Sequence, residues 1–142
     1  NYGCLETIAS TAHMVEQAKR LVKSGIASKL NDIEDVEEID AKSIIDCARE
    51  GDEVSRNILL ESARFLGLAI SSIVNLLSPQ KIVLGKDFVN YSDIVLDNLK
   101  EIVKCKALKQ TSKDVEITES KLGERASVLG SAIIPLKVFF GK

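Results

Sequence analysis

Residues 65–77, Phe-Leu-Gly-Leu-Ala-Ile-Ser-Ser-Ile-Val-Asn-Leu-Leu, are apolar on nearly every side of a helical wheel and run into Ser78-Pro79. Such a helix requires burial on several sides, so the remaining elements must wrap it. Its upstream half is amphipathic through Val54, Ile58, Leu59 and Ala63, with Asp52 placed to cap it and Pro79 placed to stop it. Gly67 inside a helix costs about 1 kcal/mol and is therefore expected to admit a close neighbour. Lys81-Ile-Val-Leu-Gly85 follows as a short aliphatic run ending in glycine, the pattern of a buried strand in a parallel sheet.

Other segments arrange themselves around this pair. Apolar residues from Leu5 to Val22 recur at three- and four-residue steps, predicting one helix over 5–24 with Gly25 past its end. Asp40 and Gly51 bracket a short helix over 41–50. The spacing predicts a further amphipathic helix over 91–104, an alternating strand over 114–119 and a last helix over 123–140. Pro135 predicts a kink there, or an end near Ile134. Strands alternating with helices specify an α/β fold with a parallel sheet. Two strands make a poor sheet, so the pattern reads as part of a larger α/β domain or one completed by a partner.

Composition narrows the function classes. The 142 residues are 45% hydrophobic and 28% charged, the balance of one soluble globular domain. A formal net charge of -2 offers no general attraction for nucleic acid or anionic lipid. No apolar run is expected to reach the roughly 18 residues of a membrane span. No basic-plus-apolar leader is expected before Asn1, and no membrane association is expected. Cys4, Cys47 and Cys105 are odd in number and far apart, which points to a reducing cytoplasm rather than a disulfide scaffold. His13 has no cysteine or second histidine near it in sequence, and a lone helical histidine is structural or exposed. The acidic run over 31–40 lacks the glycine of a calcium loop and reads as a solvated connector whose Ile33, Val36 and Ile39 touch the core. No Walker-type phosphate loop occurs.

Several stretches together resemble one family. Gly3-Cys-Leu-Glu6 with Ile8-Ala-Ser10, Ala48-Arg-Glu-Gly-Asp52, Leu66-Gly-Leu-Ala69, Val74-Asn-Leu-Leu-Ser-Pro79 with Ile82-Val-Leu-Gly85, and Ala126-Ser-Val-Leu-Gly-Ser-Ala132 are similar to elements of the ROK family of repressors, open reading frames and sugar kinases. They run in the family's order. The resemblance implies an α/β, helix-rich C-terminal part of an actin-like ATPase (ribonuclease-H-like) domain, with few strands in this stretch. It implies one domain over 1–142, the C-terminal part of a sugar-binding and dimerisation domain. A DNA-binding module and first lobe are expected outside it.

The resemblance also assigns roles. Cys4 corresponds to the last of three cysteines that, with a histidine, hold zinc in the intact family protein. Zinc prefers four tetrahedral ligands, so none is expected here, and Cys4 is expected to be a buried thiol. Glu6 corresponds to the glutamate that accepts hydrogen bonds from sugar hydroxyls, since a carboxylate can receive two. By position alone it is equally a first-turn glutamate that complements a helix dipole. Gly85 stands where family kinases carry paired glycines for nucleotide approach. Lysine replaces the second glycine in Gly85-Lys86-Asp87, a departure that opposes close backbone contact with phosphate. Gly130 reads as helix packing. No catalytic residue is identified.

Two functions follow. One is the effector-sensing half of a sugar-responsive repressor similar to xylose repressors, which binds a small sugar, acts on operator DNA through another domain and forms a homodimer or larger. The other is part of a ROK sugar kinase, which would need an aspartate base, magnesium and a phosphate loop. As a further reading, the apolar helices over 65–77 and 128–140 pack against their counterparts in a dimer.

Overall fold

The computed structural model describes residues 4–112, 115–123 and 125–141. Its elements are α1 (Leu5–Ala9), α2 (Thr11–Lys23), α3 (Ala41–Arg49), α4 (Glu53–Leu77), β1 (Lys81–Leu84), α5 (Ser92–Lys106), α6 (Lys109–Ser112), β2 (Glu116–Glu119) and α7 (Arg125–Phe140). Short 3-10 turns lie at Lys29–Asp32, Val36–Glu38 and Lys86–Tyr91. β1 and β2 pair in parallel, with Lys81 opposite Glu116 and Leu84 opposite Glu119, and α5 forms the crossover.

α4 is the axis of the molecule. Its Ile58, Leu59, Ala63, Ile70 and Val74 are buried in the core formed by Met14 and Ala18 of α2, Ile44 and Ala48 of α3, and Val95, Leu99 and Val103 of α5. At Gly67 the helices α4 and α5 meet closely. A Cβ there would stand 3.0 Å from Ile102 Cγ2 and 3.2 Å from Ile102 Cβ, which is why this helix tolerates glycine. The expected caps are formed. Asp40 and Ser43 make a reciprocal capping box on α3. Gly25 and Gly51 take positive φ in Schellman endings, Gly25 N–H to the Val22 carbonyl at 2.9 Å and Gly51 N–H to that of Ala48 at 3.1 Å. Ile39 is buried, and Ile33 and Val36 pack on the core, as the connector reading requires.

Several features depart from the sequence expectation. The helix predicted over 5–24 breaks at Ser10, whose extended backbone (φ −83°, ψ 156°) lets its hydroxyl accept from His13 N–H and start a new helix. α7 continues through Pro135 to Phe140, with no end at Ile134. α4 is buried along one side only near its C-terminus: Leu76 is 81% exposed and Leu77 68%. α4 is also long and apolar enough, by length and composition, to cross a membrane, contrary to the expectation. Its buried face nevertheless packs at the centre of this core. A Cβ at Gly130 would meet nothing within 4 Å, so this glycine serves no packing contact among the described residues. The strand predicted over 114–119 begins at Glu116, and Asp114 lies outside the described residues.

Candidate functional site

In open parallel α/β sheets ligands gather beyond the carboxyl ends of the strands. Here those ends are Leu84-Gly85 and Glu119-Ser120, joined by Ser120 N–H donating to the Leu84 carbonyl at 2.6 Å. Beyond them the Ser92 hydroxyl, at the start of α5, donates to the Glu119 carboxylate, and the same hydroxyl oxygen lies 3.1 Å from the Val89 carbonyl oxygen. Asp87 reaches α2 instead, where its carboxylate accepts from the Thr11 hydroxyl at 2.9 Å. This bond ties the first turn of α2 to the segment that leaves β1.

A cleft of about 750 Å³ opens beside that tie. Its walls come from α2 (Thr11, Met14), from α3 (Ile45, Asp46, Arg49) and from the segment after β1 (Asp87, Asn90, Tyr91). Arg49 grips Asp93 at the start of α5 with Nε and Nη2 at 3.0 Å each, and its Nη2 donates to the Asn90 carbonyl at 2.8 Å. The Asp93 pair raises the Arg49 pKa above its usual value, while Arg49 holds the Asp93 carboxyl below the usual range. Burial pushes the Tyr91 phenol up, opposed by its hydrogen bonding with Ser62 and reinforced by the charge of Asp87. Tyr91 therefore stays neutral, stacked at a tilt on Phe88 with centroids 5.3 Å apart. The carboxylates of Asp40, Asp46 and Asp87 and the Arg49 guanidinium thus line one space together with the apolar Met14, Ile44, Ile45 and Leu59.

The residues assigned from sequence occupy different places. Cys4 is exposed, not the buried thiol expected, because α1 buries no residue and Cys4 only precedes it without a side-chain cap. Glu6 is exposed in the first turn of α1. α1 itself is anchored by the Ser62 hydroxyl donating to the Ala9 carbonyl at 3.1 Å. Gly85 has an extended backbone (φ −126°), and a Cβ there would meet only Ser120 Cβ at an ordinary 3.6 Å. Among the described residues no packing contact demands a glycine at that position. The cleft walls include none of Cys4, Glu6 and Gly85.

For zinc the donor set falls short. Among the described residues no group of three or more His, Cys, Asp or Glu is placed to hold a metal ion. Cys4 by itself cannot supply a tetrahedral site, so these residues do not fit a zinc ion on their own.

Sequence reasoning missed Thr11, Asp87, Arg49 and Tyr91. Asp87 carried the available signal: it is the first acid beyond the glycine that ends β1, where a sheet of this type presents its ligand side. The hydrogen-bond partners of Arg49 lie 41 and 44 residues away and leave no local trace, unlike its looser ion pair with Asp46 at 3.9 Å.

A family model described as the ROK family matches residues 1–138. The chain is 33% identical over 130 residues to the xylose repressor of Caldicellulosiruptor bescii, covering 92% of this chain and 33% of that protein. It is 30% identical over 129 residues to a glucokinase of Halalkalibacterium halodurans, covering 90% of this chain and 39% of the enzyme. The crystal structure of a ROK family transcriptional regulator, a homologue of E. coli Mlc, superposes with a TM-score of 0.75 at 29% identity, covering 84% of this chain and 29% of the regulator. The chain therefore spans about a third of the length of the curated relatives it matches. On the match of its family model over nearly all its residues, the chain belongs to the ROK family.

Proposed function

We propose that this chain is the effector-sensing and dimerising part of a ROK family transcriptional repressor of carbohydrate-utilisation genes, working in the cytoplasm. The observation that carries the reading is Gly85-Lys86-Asp87 at the carboxyl end of β1. Where paired glycines would let a nucleotide phosphate meet bare backbone, lysine stands second and Asp87 is tied to Thr11. The similarity to the xylose repressor supports the same reading. Glu6 accepts sugar hydroxyls, as the family resemblance implies. The Asp87–Thr11 tie joins the helix pair that carries Glu6 to the strand ends, so a ligand that displaces one moves the other. A sugar that favours one arrangement lowers DNA affinity by the linked free energy.

The test uses the full-length protein that carries this chain. Retention of DNA from upstream of carbohydrate-utilisation genes is measured against a panel of monosaccharides. One sugar is expected to release the DNA, and Glu6→Gln to weaken that sugar's effect by about 10- to 100-fold, the loss of charge-assisted hydrogen bonds. Release that Glu6→Gln leaves unchanged would remove Glu6 from the site. The second reading, part of a sugar kinase, is favoured by the glucokinase similarity. It predicts sugar phosphorylation by the same preparation.

A further inference from the structure

A groove of about 740 Å³, sharing no residue with the cleft beside Thr11 and Asp87, lies between α5 and β2. Val103, Val115 and Ile117 form its floor, and Lys100, Lys104 and Lys109 form its rim. The ammonium groups of these three lysines make no hydrogen bond or ion pair with a described residue. The one acid in the wall, Glu116, is already 2.9 Å from Lys81 Nζ. No β1 residue lines the groove, so it follows the edge of β2 that faces away from β1.

That edge is open among the described residues. Glu116 N–H donates to the Gln80 carbonyl at 3.0 Å and Ser120 N–H to the Leu84 carbonyl at 2.6 Å, so the even positions of β2 face β1. Strand alternation then turns the N–H and C=O of Ile117 and Glu119 outward, along the groove. An unpaired edge of this kind is a template for an added strand. Main-chain hydrogen bonds then provide affinity, and the flanking groove reads alternate side chains.

We infer that the β2 edge and its lysine-rimmed groove dock an extended, acidic peptide segment of a partner protein, which adds to the sheet as a third strand. Charge complementarity selects the occupant. Residues 100–113 carry five lysines and one glutamate on a chain whose net charge is -2. A nucleic acid would meet the lysines but gain nothing from the aliphatic floor or the strand edge. A second copy docking edge to edge would bring lysine rims together. Carboxylates at alternate positions of an extended peptide meet the rim, while the intervening side chains enter the floor.

The experiment uses the full-length protein and a fluorescein-labelled, end-blocked seven-residue peptide alternating Glu and Val, read by anisotropy. Saturable binding is expected. Charge reversal with Lys104→Glu and Lys109→Glu, both exposed so that the fold survives as checked by circular dichroism, should weaken it at least tenfold. A peptide N-methylated at alternate residues, which keeps its charge but cannot pair with the edge, should lose binding to the same degree. Absence of binding, equal binding by the N-methylated peptide, or displacement by heparin with the same lysine dependence would overturn the proposal. So would sedimentation showing that the charge reversals dissociate a dimer, since the occupant is then a second copy.

Discussion

Asp52 does more than begin α4. It is only 8% exposed, and its carboxylate accepts from Ser55 N–H at 2.8 Å, Lys29 N–H at 2.9 Å and the Ser28 hydroxyl at 2.9 Å, so one side chain also fastens the connector after α2. Burial pushes its pKa up, but these hydrogen bonds outweigh that effect and leave it below the ordinary 3.8. A carboxyl lowered on folding contributes stability that is complete above the ordinary pKa and is lost as pH falls through the folded one. Urea unfolding should therefore show the protein losing stability below about pH 4, and Asp52→Asn should flatten that slope. Asp52→Ala removes the cap and strands buried donors, with an expected loss of about 3 kcal/mol in the same assay. Two glycines give opposite predictions. Gly67→Ala drives a methyl against Ile102 and should destabilise by about 1 kcal/mol even after the gain in helix propensity. Gly130→Ala meets nothing within 4 Å and should stabilise α7 by up to about 1 kcal/mol. Asp52 and Gly67 were legible in the sequence because capping and close packing each leave a residue-type signature. The two further donors to Asp52 were not, since they arrive from 23 and 24 residues away.

Among the elements, those with a strong period and a marked end were readable: α3, α4, β1 and α5 fall within two residues of their sequence bounds. The break at Ser10 was hidden because the apolar spacing continues straight across it. Only the local competition of a serine hydroxyl for His13 N–H divides α1 from α2. Ser10→Ala should therefore destabilise by about 1 kcal/mol, measured by thermal unfolding, as an N-cap is lost. Proline leaves two outcomes open in a sequence. Pro135 has no N–H to donate and predicts a kink or an end, and of these the end does not occur, since the helix continues for five residues beyond it. Pro135→Ala should slow amide exchange in residues 136–140 at least tenfold, since it restores a backbone hydrogen bond.

For the molecule as a whole, the uncovered surfaces follow from the chain's reach. Leu76 and Leu77 on α4 and Val138, Phe139 and Phe140 on α7 are all more than two-thirds exposed. A parallel sheet ordinarily has both faces covered, and this one has two strands. The sequence foretold the shortage of strands but misjudged the apolar helices, because all-round hydrophobicity reports that a helix is covered without reporting by what. The chain is about a third of its curated relatives' length, and in the reading proposed above other parts of the protein or a second copy cover these side chains. The dimer in our reading predicts that Leu76→Lys with Phe139→Lys lowers the sedimentation coefficient of the full-length protein. A strict monomer in the unsubstituted protein at high concentration would remove that part of the reading. A sugar sensor that transfers no phosphoryl group is distinguished from a kinase by calorimetry, titrating the releasing sugar into the full-length protein with magnesium and ATP present. A saturable binding isotherm unchanged by the nucleotide is expected. A sustained heat of turnover, with sugar phosphate in the cell, would contradict the sensor reading and make the protein a kinase.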